Sequence, residues 1–197
     1  MKLFRLFVAF TVIRFALSPA AYAVVPAPDG GYPGANTAEG QAALLALSTG
    51  TYDTAVGYFS LLNNTTGSFN TALGAATLAL NTTAQENTAV GAGALLSDTS
   101  GDSNTAVGAL TLLLNTDGLQ NTAVGASALS SNTQGKSNTA IGWTALYNNI
   151  GNTQNPDGHE NTAIGASAMF SNTTGFENTA VGTSALYTNS IGVYNTA

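Results

Sequence analysis

The chain has 197 residues, of which 44% are hydrophobic and only 7% are charged. Soluble domains average about one quarter charged residues, but this apolar content is too high for a disordered chain and indicates a buried core. Cysteine is absent and histidine occurs once, which excludes disulfides, thiolate metal sites and most catalytic triads. We therefore expect no enzyme activity, no cofactor and no metal ion.

The first predicted element is a secretory signal peptide over residues 1–23. Lys2 and Arg5 precede an apolar run that ends in Ala21-Tyr22-Ala23, an arrangement typical of a cleaved leader. The alternative is a membrane anchor, but Arg14 interrupts the run and a bilayer span needs about 20 apolar residues. We therefore predict an exported protein, located at the cell surface, associated with the outer membrane or extracellular.

A linker and a strongly acidic remainder follow the leader. Residues 24–35 are rich in proline and glycine and are predicted to be a linker. Once the leader is removed, only Lys136 opposes ten acidic residues, which leaves a net charge of −9. Such a field repels phosphate backbones, so we expect no binding of nucleic acid.

Residues 36–197 repeat with a period of 17. The triplet Asn-Thr-Ala marks the start of each unit, with Asp53 replacing the Asn once; it begins at Asn36, Asn70, Asn87, Asn104, Asn121, Asn138, Asn161, Asn178 and Asn195. The interval from Asn138 to Asn161 is 23, which predicts a six-residue insertion near residues 150–157. We number the unit from its Asn, as positions 1 to 17.

This unit predicts an all-β fold, a parallel β-solenoid of about nine coils. Seventeen residues are too few for two helices with their turns, and Gly at position 5 would weaken a helix. Two short strands and two turns fit one coil, with Asn at position 12 and Gly at position 15 in a left-handed turn. Coils stacked about 4.8 Å apart would give a rod roughly 43 Å long. A helix over positions 6 to 11 is the alternative.

Stacked coils place equal positions above one another and so predict side-chain ladders. Alternation puts Thr at position 2 and Val or Ile at position 4 on one face, with the small residues at 1, 3 and 5 on the other, while Leu at position 9 faces inward. Amides stacked in this way can bond along the rod. The predicted ladder residues are Asn70, Asn87, Asn104, Asn121, Asn138, Thr71, Thr88, Thr105, Thr122, Thr139, Val90, Val107, Val124, Ile141, Leu95, Leu112 and Leu129.

A second apolar stripe predicts self-association. Position 10 should face outward, yet it holds leucine or aromatic residues in most units, and position 6 adds two aromatic residues. A soluble monomer seldom exposes a stripe of this length, so we expect a homotrimer that covers both the stripe and the small Ala face. The candidate interface residues are Tyr58, Leu62, Leu96, Leu113, Trp143, Tyr147, Phe170 and Tyr187.

The repeat resembles the head repeats of trimeric autotransporter adhesins. The matching strings are NTAVG at residues 87–91, 104–108 and 121–125, and NTAIG at 138–142 and 161–165. Similar units occur in bacterial surface proteins and tail-fibre-like proteins that end in a chaperone domain. The resemblance implies a left-handed, trimeric β-roll of a surface fibre. The unit is longer than the adhesin repeat, and one residue is missing before its Gly.

The ends of the array and its insertion suggest no further chemistry. The first unit has Glu39 in place of Val and Leu47 in place of Asn, as expected of a terminal cap. The chain ends three residues into a tenth unit, which predicts a fragment of a longer protein. His159 lies beside two carboxylates near the insertion, but adjacent turn residues seldom converge on one metal ion, so we predict a protruding loop.

The sequence therefore predicts a structural or adhesive module of a bacterial surface fibre, without catalysis, membrane insertion of the repeats or an identifiable surface ligand. Two alternatives remain. One is an ice-binding solenoid that uses Thr ladders, although the second residue after each Thr is aliphatic rather than another Thr. The other is the shaft of a tail-fibre-like protein with its chaperone domain outside this sequence.

Overall fold

The computed structural model describes residues 32–152 and 157–197, and within them the chain is a stack of coils without any helix. Each coil contributes one three-residue strand to a single parallel sheet, in chain order. The strands are β1 (Thr37–Glu39), β2 (Thr54–Val56), β3 (Thr71–Leu73), β4 (Thr88–Val90), β5 (Thr105–Val107), β6 (Thr122–Val124), β7 (Thr139–Ile141), β8 (Thr162–Ile164) and β9 (Thr179–Val181). The predicted parallel β-solenoid is confirmed, whereas its handedness stays a prediction. The predicted signal peptide lies outside the described residues.

The register between coils follows the sequence repeat. Thr105 pairs with Thr122 and Val107 with Val124, so neighbouring strands are offset by 17 residues. Between β7 and β8 the offset is 23 residues, because Thr139 pairs with Thr162. Equal positions are therefore stacked throughout the sheet, as the ladder prediction requires.

The six-residue insertion leaves this register intact. On one side of it, the Ile150 N–H donates to the Thr173 carbonyl at 3.1 Å, and on the other the Gly158 N–H donates to the Thr174 carbonyl at 3.1 Å. The first bond is the one that position 13 makes in other coils, whereas Gly158 donates to the position 14 carbonyl and Gly118 in a regular coil to the position 13 carbonyl of Thr133. The insertion therefore lies between Ile150 and Gly158, and residues 153–156 within it are outside the described residues.

Glycine at position 5 ends every strand because two coils approach closely there. At Gly125 φ is +128°, and a Cβ would lie 2.5 Å from the carbonyl oxygen of Gly142 in the next coil. No L side chain tolerates both the backbone conformation and the contact. The chain thus turns after three strand residues in each coil.

Positions 6 to 11 differ from the prediction of a second strand, since no strand occurs there in the described residues. Leu110 and Leu112 have φ of 56° and 51°, in the left-handed region. A non-glycine residue there costs roughly 1–2 kcal/mol. Hydrogen bonds between coils offset this cost: the Leu112 N–H donates to the Ala128 carbonyl and the Leu114 N–H to the Ser130 carbonyl, both at 3.0 Å.

The left-handed residues also differ from those predicted. In the coils of regular length they lie at positions 7, 9 and 17, as at Gln120 with φ of 59°, and Asn115 and Gly118 are not among them. Gly118 is needed for space instead, since a Cβ there would lie 2.6 Å from the carbonyl oxygen of Gly135 in the next coil. Position 15 is therefore small because coils touch there, and the turn conformation is not the cause.

The core is a narrow column of small and aliphatic side chains. Ala at position 3 and Leu or Met at position 9 are almost fully buried in the middle coils, which confirms that position 9 faces inward. The largest members are Leu61, Leu78, Leu95, Leu112, Leu129, Leu146 and Met169. The expectation that a partner chain covers the small Ala face is wrong, because each coil buries its own Ala against its own Leu.

Residues 32–35, the described end of the predicted linker, extend the solenoid by covering its first coil. Tyr32 pairs antiparallel with Asn36 and packs against the core. The Gly34 carbonyl accepts a hydrogen bond from the Tyr52 N–H at 2.9 Å. These contacts occupy backbone groups that an uncovered coil would leave unpaired.

Candidate functional surfaces

The position 1 asparagines form a buried amide ladder along the rod, as predicted. The Asn121 Nδ2 donates to Asn104 Oδ1 at 3.1 Å and to the Gly135 carbonyl at 2.8 Å. The Asn121 backbone N–H donates to the same Asn104 Oδ1 at 3.0 Å. Each side chain therefore joins its own coil to the preceding one, and buried polar groups are stable only when they are satisfied in this way.

A second amide ladder runs at position 12, where the sequence predicted only a turn. Asn132 Nδ2 donates to Asn115 Oδ1 at 2.8 Å and to the Gly135 carbonyl at 3.1 Å. Asn149 repeats the bond to Asn132 Oδ1 at 2.9 Å. The sequence signal for this ladder was the recurrence of Asn at position 12, because a turn exposed to solvent would also accept Asp, Ser or Gly there.

An aspartate replaces asparagine once in each ladder. Asp98, at position 12, accepts hydrogen bonds from the Gly101 N–H and from Asn115 Nδ2, at 3.0 and 3.2 Å. Burial raises the pKa of Asp98 to about 8, although these bonds oppose the shift. Burial likewise raises the pKa of Asp53 at position 1, against bonds from Asn70 and Asn64. Both aspartates are buried and accept hydrogen bonds from asparagine side chains, which is a structural role in this arrangement.

The outward face of the sheet carries a row of threonine hydroxyls that have no protein hydrogen bond among the described residues. These are the predicted position 2 residues, such as Thr105 and Thr122. Other threonines differ: Thr133, at position 13, donates to the Ile150 carbonyl at 2.8 Å, and Thr111, at position 8, to the Gly108 carbonyl at 2.8 Å. Among the described residues, only position 2 has such a free threonine hydroxyl in every coil.

Aliphatic side chains at position 4 lie beside these threonines, as the alternation predicted. Val107, Val124, Ile141 and Ile164 are all between 37% and 40% exposed. From β2 to β9 the face has only threonine and aliphatic side chains at its two outward positions. We call positions 2 and 4 of the nine strands the Thr/Val face.

The predicted interface stripe is interrupted. Position 10 is a buried Ala79 in one coil and a buried Ser130 in another. Among the predicted residues, Tyr58, Trp143 and Tyr187 are exposed and the others are half-buried. The most extended apolar part is an aromatic stack: the Tyr147 and Phe170 ring centroids are 5.2 Å apart, as are those of Phe170 and Tyr187.

A second aromatic stack was not predicted. The ring centroids of Tyr52 and Phe69, both at position 17, are 5.1 Å apart with an interplanar angle of 10°, and both side chains are more than half exposed. The sequence signal for this stack was the presence of two aromatic residues 17 positions apart. The exposed apolar surface is therefore distributed over several sides of the rod.

The residues beside the insertion do not assemble a metal site within the described ranges. His159 has a buried Nε2 without a hydrogen-bond partner there. Burial, assisted by the neighbouring Lys136, lowers the pKa of His159. A neutral imidazole is the result, but no second ligand from the described residues converges on it.

Comparisons with known proteins return no assignment: no protein-family model matches the chain, and no curated protein and no solved structure is significantly similar to it. Residues 32–152 and 157–197 also contain no helix with the length and hydropathy needed to cross a membrane.

Proposed function

We propose that this chain is an exported rod that serves as a structural or adhesive module of a bacterial surface fibre, and that it works as a homotrimer without catalysis. The observation that carries the proposal is the pair of buried amide ladders at positions 1 and 12. They join most neighbouring coils through side-chain bonds such as Asn121 to Asn104 and Asn132 to Asn115. A rod whose coils are joined in this way along its axis is suited to act as a spacer and to bear mechanical load.

The charge distribution and the leader support this proposal. Only Lys136 is basic beyond residue 14, and the mature chain is acidic, which favours a role away from nucleic acid. The pattern of residues 1–23 favours export. A fibre module also needs no pocket, because its contacts are made by the long sides of the rod.

The homotrimer is supported by the aromatic stack of Tyr147, Phe170 and Tyr187. Tyr187 is 41% exposed, and Trp143, in the same coil as Tyr147, is 62% exposed. Aromatic residues are enriched where protein surfaces meet. A threefold axis parallel to the rod would place the three copies of this stack together.

Labelling of intact cells tests the export and surface location. The full chain is expressed with an epitope tag after Ala197 in a bacterium with an outer membrane, and intact cells are probed with antibody and with an added protease. We expect labelling and proteolysis without lysis, together with loss of residues 1–23. Protection of the tag until lysis, with the leader retained, would contradict the proposal.

A further inference from the structure

The Thr/Val face of the sheet combines three properties that the fibre proposal does not use. Its hydroxyls are free, its methyl groups are exposed, and both kinds of group repeat with the coils. We infer that this face binds ice, through an ordered water layer that fits the rows of hydroxyls and methyls. The inference rests on the face alone and does not depend on the trimer or on surface location.

The first argument is the distribution of hydrogen bonds among the threonines. At position 13 the hydroxyls of Thr65 and Thr116 donate to carbonyls of the next coil, at 2.9 and 3.1 Å. Thr105 and Thr122 at position 2 have no such partner. Their hydroxyls must therefore form hydrogen bonds with water. Because equivalent hydroxyls recur in every coil, the bound water molecules repeat with the same spacing as the coils.

The second argument is the two-dimensional repeat. Parallel strands lie about 4.8 Å apart, and residues two apart in a strand lie about 6.6 Å apart. Thr122 and Val124 thus define one row across the rod, and Thr105 and Val107 define the next. These two spacings are close to the repeats of the prism face of ice. Side-chain ladders of this kind also favour a flat sheet.

The third argument is the absence of charge and of bulky groups at the outward positions. From β2 to β9, these positions hold Thr, Val, Ile and one Leu73. Charged side chains would bind water in their own geometry and disturb a regular layer. Exposed methyl groups form no hydrogen bonds with water. The water molecules beside them therefore complete their hydrogen bonds with one another, as they do in ice.

The size of the face argues against a second copy of the chain as its occupant. A strip about 43 Å long and about 10 Å wide, from the strand spacings, offers roughly 430 Å². Stable interfaces bury about 800 Å² per partner. The area of the face is therefore about half of what a stable dimer buries per partner. Ice binding needs a match to the ice lattice and sets no such minimum area.

Thermal hysteresis of the purified mature chain tests the inference. We expect a freezing point below the melting point and faceted crystals, well beyond the effect of an equal concentration of serum albumin. Thr122→Tyr, which places a ring in the middle of the face, should remove most of the hysteresis. Ser131→Tyr is the matched control and should retain it, because position 11 already accommodates Leu80 and Leu114 at the surface.

A third variant controls for misfolding as the cause of any loss of thermal hysteresis. Val124→Thr extends the hydroxyl rows at a residue that is 37% exposed, and it should keep at least the activity of the unmodified chain. No hysteresis in the unmodified chain, equal loss in the two tyrosine variants, or loss in Val124→Thr would each overturn the inference. A change in assembly mass with Thr122→Tyr would do the same, because it would identify the face as a protein interface.

Discussion

Asn115 donates its side-chain amide to Oδ1 of Asp98 at 3.2 Å, but Asp98 has no side-chain N–H with which to continue the ladder to Asn81. Every other neighbouring pair at position 12 from Asn64 to Asn189 is joined, as by Asn81 Nδ2 to Asn64 Oδ1 at 3.1 Å. Asp98 is therefore the place where the amide ladder loses a donor, and it is fully buried.

Replacing this aspartate should stabilise the solenoid in a pH-dependent way. The pKa of Asp98 is about 8 in the folded chain, against 3.8 as the ordinary value. The folded state thus binds the proton more tightly, and stability falls as the pH rises from about 4 to about 8. Asp98→Asn removes this loss, so we expect its free energy of unfolding to exceed that of the parent by about 1–3 kcal/mol at pH 9.

Urea unfolding at pH 5 and pH 9 measures this difference. The stabilisation by Asp98→Asn should be small at pH 5 and large at pH 9. Glu177→Gln is the control, because this carboxylate is exposed, lies several coils away from Asp98 and should change the stability little at either pH. An equal benefit of Asp98→Asn at both pH values would contradict the assignment of the loss to its ionisation.

Shortening one buried leucine of the position 9 ladder should lower the free energy of unfolding. Leu112 is fully buried at position 9, and Leu112→Ala leaves a cavity between Leu95 and Leu129 of the same ladder. We expect a loss of about 2–5 kcal/mol in the free energy of unfolding. Leu114→Ala, at a side chain that is 46% exposed two residues later, should stay within about 0.5 kcal/mol of the parent in the same urea titration.

Two equivalent glycines separate the backbone and contact contributions at position 5. Gly125 and Gly182 have φ of +128° and +133°, but a Cβ on Gly125 meets the Gly142 carbonyl at 2.5 Å, whereas one on Gly182 has no atom within 4 Å. Gly182→Ala should therefore cost about 1–3 kcal/mol from the backbone alone. Gly125→Ala should cost clearly more, measured as the urea midpoint, and equal losses would show that the coils are not in close contact there.

Much of the fold follows from the period itself. Seventeen-residue spacing with Thr over Thr and Ala over Ala predicted the parallel register seen between Thr105 and Thr122. The inward direction of Leu112 followed from the recurrence of Leu at position 9, where only Met169 replaces it. These features depend on repetition, which a single chain displays without homologues.

The remainder depends on backbone geometry that residue types do not reveal. Leu112 adopts φ of 51°, although leucine has no preference for the left-handed region, so the predicted second strand was wrong. Ala106 was expected to be covered by a partner chain, yet it is fully buried within the solenoid itself because the coil is narrow. The free hydroxyl of Thr122 and the bonded one of Thr133 belong to the same residue type, and only the structure distinguishes them.

The proposal of a trimeric surface fibre is tested most directly by the solution mass of the mature chain, residues 24–197, in sedimentation equilibrium. We predict three times the mass of one chain, falling to a single chain in Phe170→Asp, where a charge replaces the middle ring of the aromatic stack. Tyr52→Asp, in the other stack, should remain trimeric. A single-chain mass for the unmodified protein at every concentration would contradict the account.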